Sequence, residues 1–223
     1  MPVDTMVVLC FFKKGFCMSK ILYLASTSRV RQVLLQEARI PFECIGHGAD
    51  EEAADRSLPF LELLQQIARD KMDHALLQPG THEGQEVFVL SADSMGYDAQ
   101  GVVHGKPKDR EDALRKIKSL KEKSTTATAY CLDKKRWDGS VWVVVERCER
   151  VVESQCRFVV PDQWVDRYLE HSWAMTAAGA IAVEFYGTQF LEWVDGSYSA
   201  VMGLPMFELR EDLEKLWFFD SLI

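Results

Sequence analysis

The sequence predicts a mixed α/β fold, one sheet built in two halves, on three observations. Continuous apolar runs such as "KILYLAS" and "EVFVLSAD" read as buried strands of a parallel sheet. Helical periodicity alternates with such runs early in the chain, whereas strand-like stretches cluster late. The 223 residues are 48% hydrophobic and 27% charged, a globular balance long enough for one sizeable core. Residues 1–18 read as an N-terminal extension and residues 19–223 as a single domain, because Met18 stands just before the first clear strand.

The elements follow in order. After "KILYLAS", residues 28–39 read as a helix, with Val30, Val33, Leu34 and Ala38 at helical spacing and Ser28 as its N-cap. "PFECIG" reads as a strand and "HGADEEAADRSLP" as an acidic loop. Residues 60–78 form the clearest helix, with a stripe of Phe60, Leu64, Ile67, Ala68, Ala75 and Leu76. "EVFVLSAD" ends in a carboxylate, and "SMGYDAQGVVHGKP" turns back at Gly96 and Gly101. "DREDALRKIKSL" opens with a capping-box-like pair, Asp109 and Asp112. Three strands are expected at "TTATAYCLD", "SVWVVVERC" and "SQCRFVV", then a helix at "PDQWVDRYLE" with Pro161 in its first turn. A glycine-spaced loop, the strand "TQFLEWV", the turn "DGSYS" and a last helix from about Leu204 complete the chain.

Several function classes fall away. A net charge of −8 argues against a nucleic-acid or anionic-membrane partner, while leaving room for a local basic pocket. The apolar run "MVVLCFF" is too short to span a bilayer, and its basic residues follow it instead of preceding it. Six scattered cysteines lack zinc or CxxC spacing and read as reduced thiols of a cytoplasmic protein. There is no GxSxG elbow, no Walker loop and no histidine cluster.

The chemical candidates come from position. In "LASTSRVRQVLL" the free amides of a helix N-terminus, the Ser26 and Ser28 hydroxyls and the Arg31 guanidinium could together hold phosphate; the alternative is a simple cap beside solvated arginines. Lys71 shares the apolar stripe of its helix, so it either snorkels or points into a pocket. Asp93 closes its strand, where α/β sheets gather ligands; it could bind a metal, orient water or merely form a turn. Lys106, between Gly105 and Pro107, could be aimed at the same place. Glu51, in the acidic patch Asp50–Glu52, is either solvated or a magnesium ligand beside a triphosphate.

The order of "LASTSRVRQVLL", "DEE", "LLQQIARDKMDHA", "SAD", "HGKPKDREDAL", "AAGAIAVEFYG" and "VDGSYSAVMGLP", from Ile21 to Leu209, resembles the Maf family of nucleotide pyrophosphatases, once called septum-formation inhibitors. The resemblance implies an elongated, twisted mixed sheet with flanking helices, in two halves around a cleft, similar to inosine-triphosphate pyrophosphatases. It implies metal-dependent hydrolysis, with Mg or Mn, of nucleoside triphosphates to monophosphate and pyrophosphate, clearing modified or non-standard nucleotides. Asp93 matches the proton acceptor, Ser26, Arg31, Lys71 and Lys106 match phosphate-holding positions, and Glu51 matches the metal- or water-assisting carboxylate. Val30, Ser94 and Glu184 match the slots that separate members preferring dTTP and UTP from those preferring 7-methyl-GTP. Val30 and Glu184 lean to the second group, while Ser94 matches neither, and Arg29 stands where the motif usually has proline. A homodimer is in keeping with the family. The competing expectation is a nucleotide-binding regulator of cell division without turnover.

Overall fold

The structure, a computed structural model, describes residues 20–50 and 53–219. The expected extension over residues 1–18 and the expected metal-assisting Glu51 lie outside the described residues. The strands are β1 (Leu22–Ala25), β2 (Phe42–Ile45), β3 (Glu86–Tyr97), β4 (Val103–His104), β5 (Ser124–Trp137), β6 (Trp142–Phe158) and β7 (Leu191–Asp195). The helices are α1 (Arg29–Glu37), α2 (Phe60–Asp73), α3 (Arg110–Ser119), α4 (Val165–His171), α5 (Tyr198–Met202) and α6 (Met206–Lys215).

These strands make one mixed sheet in the order β2-β1-β3-β5-β6-β7, with β4 paired to β3. β1 runs parallel to both β2 and β3, so its apolar side chains are covered from both faces. The remaining pairs are antiparallel. Period-2 alternation sorts β3 between two cores. Phe88, Leu90 and Ala92 join Leu22, Leu24, Leu35, Leu209 and Leu213 on the face carrying α1 and α6. Val87 and Val89 join Met72 on the opposite face, under α2. A third core gathers Ile117, Phe158, Tyr168, Phe190 and Val201 in the other half of the molecule. Complete burial of a side chain such as Ile117 contributes about 1.5–3 kcal/mol.

The architecture matches the expected two-half mixed sheet, and several boundaries move for identifiable reasons. α2 stops at Asp73 because the next residues leave to pair with the loop after β2: Leu76 N donates to Gly46 O at 2.9 Å, and His47 bridges Ala75. Leu76, expected on the stripe, is 61% exposed. Asp93 does not close its strand. β3 continues to Tyr97 because β5 pairs with it as far as Tyr97↔Thr125. The neighbour β1 does end here, its last pair with β3 being Leu24↔Leu90, so Asp93 stands just past the carboxyl end of β1.

Two of the three late strands are one. "SVWVVVERC" and "SQCRFVV" merge into the 17-residue β6, because the charges between them are neutralised in place. Glu146 meets Lys215, Arg147 meets Asp133, Glu149 meets Arg69, and Arg150 meets Asp212. Pro161 precedes a single 3-10 turn, Asp162–Trp164, and α4 begins only at Val165. The expected last helix is α6, and the short helix α5, which the sequence does not predict, precedes it. Gly203, at φ 118°, ends α5 in a left-handed conformation that suits glycine, and Pro205 starts α6.

Candidate active site

The two halves enclose a cavity of about 450 Å³, within the range of small-molecule sites. Ser26, Ser28, Val30, Arg31, Lys71, Asp93, Ser94, Lys106 and Glu184, all named from the sequence, line it. Four cationic side chains (Arg29, Arg31, Lys71, Lys106) face two carboxylates (Asp93, Glu184), a local cationic excess within a chain of net charge −8.

Alternation along β3 decides what meets what. Asp93 lies on the α2 side, two residues beyond Ser91, whose Oγ donates to Ala68 O at 2.6 Å. Lys71, one turn further along α2, therefore reaches the carboxylate, and its ammonium donates to Asp93 Oδ1 at 2.6 Å. The lysine does not snorkel: its side chain is 7% exposed and that of Asp93 is 15% exposed.

Ser94 points to the other face, where α1 presents Arg31. The buried guanidinium donates from Nε to Gly203 O (2.8 Å), from Nη1 to Ala92 O (2.8 Å) and Ser26 Oγ (3.0 Å), and from Nη2 to Ser94 Oγ (3.0 Å). Arg31 thus grips β3 on both sides of Asp93 and ties it to α1 and the end of α5. Ser94 Oγ also contacts Thr128 Oγ1 at 2.8 Å, and Thr128 donates to Ala200 O, so the Ser94 hydroxyl donates to Thr128 while accepting from Arg31.

Ser28 occupies the N-cap position of α1, but its side chain makes no capping hydrogen bond. Its amide donates instead to Ser26 Oγ at 3.2 Å, so the hydroxyl nearer the strand organises this turn. Ser26 Oγ already accepts from Arg31 and Ser28, which leaves its proton to donate into the cavity. The first-turn amides of α1 precede any intrahelical partner, and Arg29, where the motif usually carries proline, is exposed beside them.

Lys106 enters from the loop after β4. Lys116 braces that loop by donating to the carbonyls of Gly105 (3.0 Å) and Lys106 (2.9 Å). Asp109 caps α3 through Asp112 N at 2.8 Å, as the spacing predicts. The Lys106 ammonium makes no ion pair or hydrogen bond with the described residues.

Glu184 also lines the cavity. It is 5% exposed, and its Oε1 has no hydrogen-bond partner among the described residues. Burial raises its pKa from 4.5. The neighbouring backbone is strained, with Ala180 at φ 57° and Phe185 at φ 48°. It is held by Tyr168, whose hydroxyl donates to Ala180 O (2.8 Å) and accepts from Ala182 N (2.7 Å). Gly187 is obligatory beneath it, since a Cβ there would lie 1.7 Å from Ala182 O.

Sequence reasoning missed His47, Thr126, Trp173 and Ile181, which also line the cavity. Nothing in their spacing marks them; tertiary folding alone brings them in. Among the described residues, no three His, Cys, Asp or Glu side chains gather as a metal cluster, and no helix is long and apolar enough to cross a membrane.

Fold and cleft together define a mixed α/β protein with a charged small-molecule site between its halves. The chain belongs to the Maf family: the family model described as Maf-like protein matches residues 21–216. A dTTP/UTP pyrophosphatase of Hydrogenovibrio crunogenus is 32% identical over 205 residues, 92% of this chain and 100% of the relative. A dTTP/UTP pyrophosphatase of Fusobacterium nucleatum is 31% identical, covering 90% of this chain and 97% of its own. A nucleoside triphosphate pyrophosphatase of Ruegeria sp. is 30% identical, covering 88% and 96%.

Proposed function

We propose that the protein hydrolyses nucleoside triphosphates to the monophosphate and pyrophosphate in this cleft. The observation that carries the reading is the Lys71–Asp93 pair at 2.6 Å, set in one cavity with Arg29, Lys106 and the start of α1. The phosphates lie against the first-turn amides of α1, with the Ser26 hydroxyl donating and Lys106 and Lys71 neutralising charge as it develops. Lys71 holds Asp93 by Oδ1, so Oδ2 is the oxygen that accepts a proton from the attacking water. Arg31 supports the site by fixing Ala92 and Ser94 around that aspartate.

A divalent cation, Mg or Mn, suits the donors. Such ions take one or two carboxylates together with substrate phosphates and water, and of the two on the described cleft wall Asp93 is the one beside Lys71. Glu51, outside the described residues, is the second we assign. When bound, the ion would supply charge neutralisation and acidify water.

For the base we assign a guanine-like edge, including 7-methylguanine. Buried Glu184 Oε1 requires a donor, and a carboxylate accepts two from a guanine edge. The names of the relatives favour thymine or uracil instead. Incubating the protein with Mg or Mn and 7-methyl-GTP, GTP, dTTP or UTP, with products followed by phosphorus NMR, decides both points. Pyrophosphate with monophosphate supports the enzyme, and its rate order identifies the base. Binding without products supports the regulator.

A further inference from the structure

We propose that His104 is a positioning residue for the reaction: held by Asp98, it fixes the backbone that aims Lys106 into the cleft, without touching the substrate itself. The proposal rests on the reading of this cleft as a triphosphate hydrolase, in which the Lys106 ammonium neutralises phosphate charge. The described residues that line the cavity include Lys106 but not His104, two positions before it. His104 ends β4, and its register partner is Gly96, three residues beyond Asp93 on β3. The same short strand therefore sets Lys106 relative to the aspartate.

Polar contacts hold the excursion between β3 and β4. The ladder here is short, with the pairs Gly96↔His104 and Tyr97↔Val103. Val102 and Val103 are exposed, so apolar burial contributes little at the tip. The Asp98 carboxylate ties both ends together. Its Oδ1 accepts from Gln100 N (3.0 Å) and Val102 N (2.9 Å), which closes the turn, and its Oδ2 accepts from His104 Nε2 at 2.8 Å. An ionised carboxylate only accepts, so Nε2 carries a proton whether the ring is neutral or charged. The histidine and aspartate side chains are 11% and 5% exposed, which shields their bond from competing water.

His104 also joins two walls of the cleft. Gly105 O, the next carbonyl, accepts from Gly179 N at 3.1 Å and from Lys116 Nζ at 3.0 Å. A Cβ built on Gly179 would lie 3.7 Å from His104 Cβ, so the histidine packs against the segment that leads to Glu184. Lys106 is thus anchored on one side by Lys116, which pairs with Asp112 of α3, and on the other by His104. Lys71 is fixed by its own bond to Asp93, whereas the Lys106 ammonium makes no bond to the described residues. Its position depends on its backbone, and that is why an anchor outside the cavity bears on the chemistry. Misplacing a reacting group by about 1 Å can cost about 100-fold in rate.

The test has two readouts, both on the full chain and at a temperature where melting curves show every variant folded. In pyrophosphate release, His104→Leu should lower kcat/KM about tenfold, and His104→Gln, whose amide can donate to Asp98 Oδ2, should restore most of it. On a Lys106→Ala background, His104→Leu should cost nothing further. The second readout needs no turnover. Lysine is labelled with carbon-13 at Cε, the Lys106 NMR signal is assigned by its absence from Lys106→Ala, and inorganic triphosphate is titrated in. The Lys106 signal should shift in the native chain and in His104→Gln but much less in His104→Leu, while the Lys71 signal responds alike in all three. A native chain that releases no pyrophosphate yet shows this pattern would end the hydrolytic reading and uphold the placement of Lys106 by His104. Equal losses from His104→Leu with and without Lys106, or a Lys106 signal that responds identically in the native and His104→Leu chains, each overturns the proposal.

Discussion

The Lys71 ammonium lies 2.6 Å from Asp93 Oδ1, and both side chains are mostly withdrawn from water. Removing either partner leaves a charge in a poorly solvated place, which costs about 3–5 kcal/mol in a buried pair. Lys71→Met should therefore lower the melting temperature, and Lys71→Met with Asp93→Asn together should recover part of the loss. Thermal melts of the two single variants and the double variant complete the cycle. Additive losses would mean that the pair is not coupled.

Arg31→Lys should damage both stability and turnover. A lysine cannot span Gly203 O, Ala92 O, Ser26 Oγ and Ser94 Oγ together, and each buried acceptor left unmatched costs about 1–3 kcal/mol. If Arg31 acts through Asp93, kcat falls while the substrate KM changes little. A rise in KM alone, with an unchanged melt, would show that it binds phosphate instead.

Glu184 gives a pH dependence with a definite sign. Burial raises its folded pKa above the ordinary 4.5, so its protonated form favours folding. That contribution is full below the unfolded value and disappears as pH rises through the raised folded value. Glu184→Gln removes the titration, so the melting temperature of the variant relative to the native chain should increase from about pH 4 to pH 8. Parallel melting curves across that range would place Glu184 in an unperturbed environment.

Gly187→Ala forces a Cβ onto Ala182 O and displaces the segment carrying Glu184. We expect KM for the preferred triphosphate to rise about tenfold or more, with a smaller change in kcat, since the clash falls on the segment carrying Glu184 and not on Lys71 or Asp93. Steady-state kinetics with two different bases measure it. Equal effects on both would separate Glu184 from base recognition.

How far the site was legible follows from how local each signal is. Lys71 and Asp93 stand out because a charge on an apolar stripe and an acid at the end of an apolar run break a periodic pattern. The acceptors of Arg31 did not stand out, because Ala92 O and Gly203 O are backbone atoms 61 and 172 residues away. The same holds for β6, whose central charges look like a break until Asp133, Arg69, Asp212 and Lys215 arrive from elsewhere. Trp173 and His47 carry no sequence signal at all and enter the cleft only through tertiary folding, His47 on its bridge to Ala75.

The most direct measurement is pyrophosphate release from a nucleoside triphosphate, with Mg or Mn, by the native chain and by Asp93→Asn. The account predicts release by the native chain and a loss of about 100- to 10,000-fold in the variant, with nucleotide binding retained. Equal rates from the two proteins would contradict it.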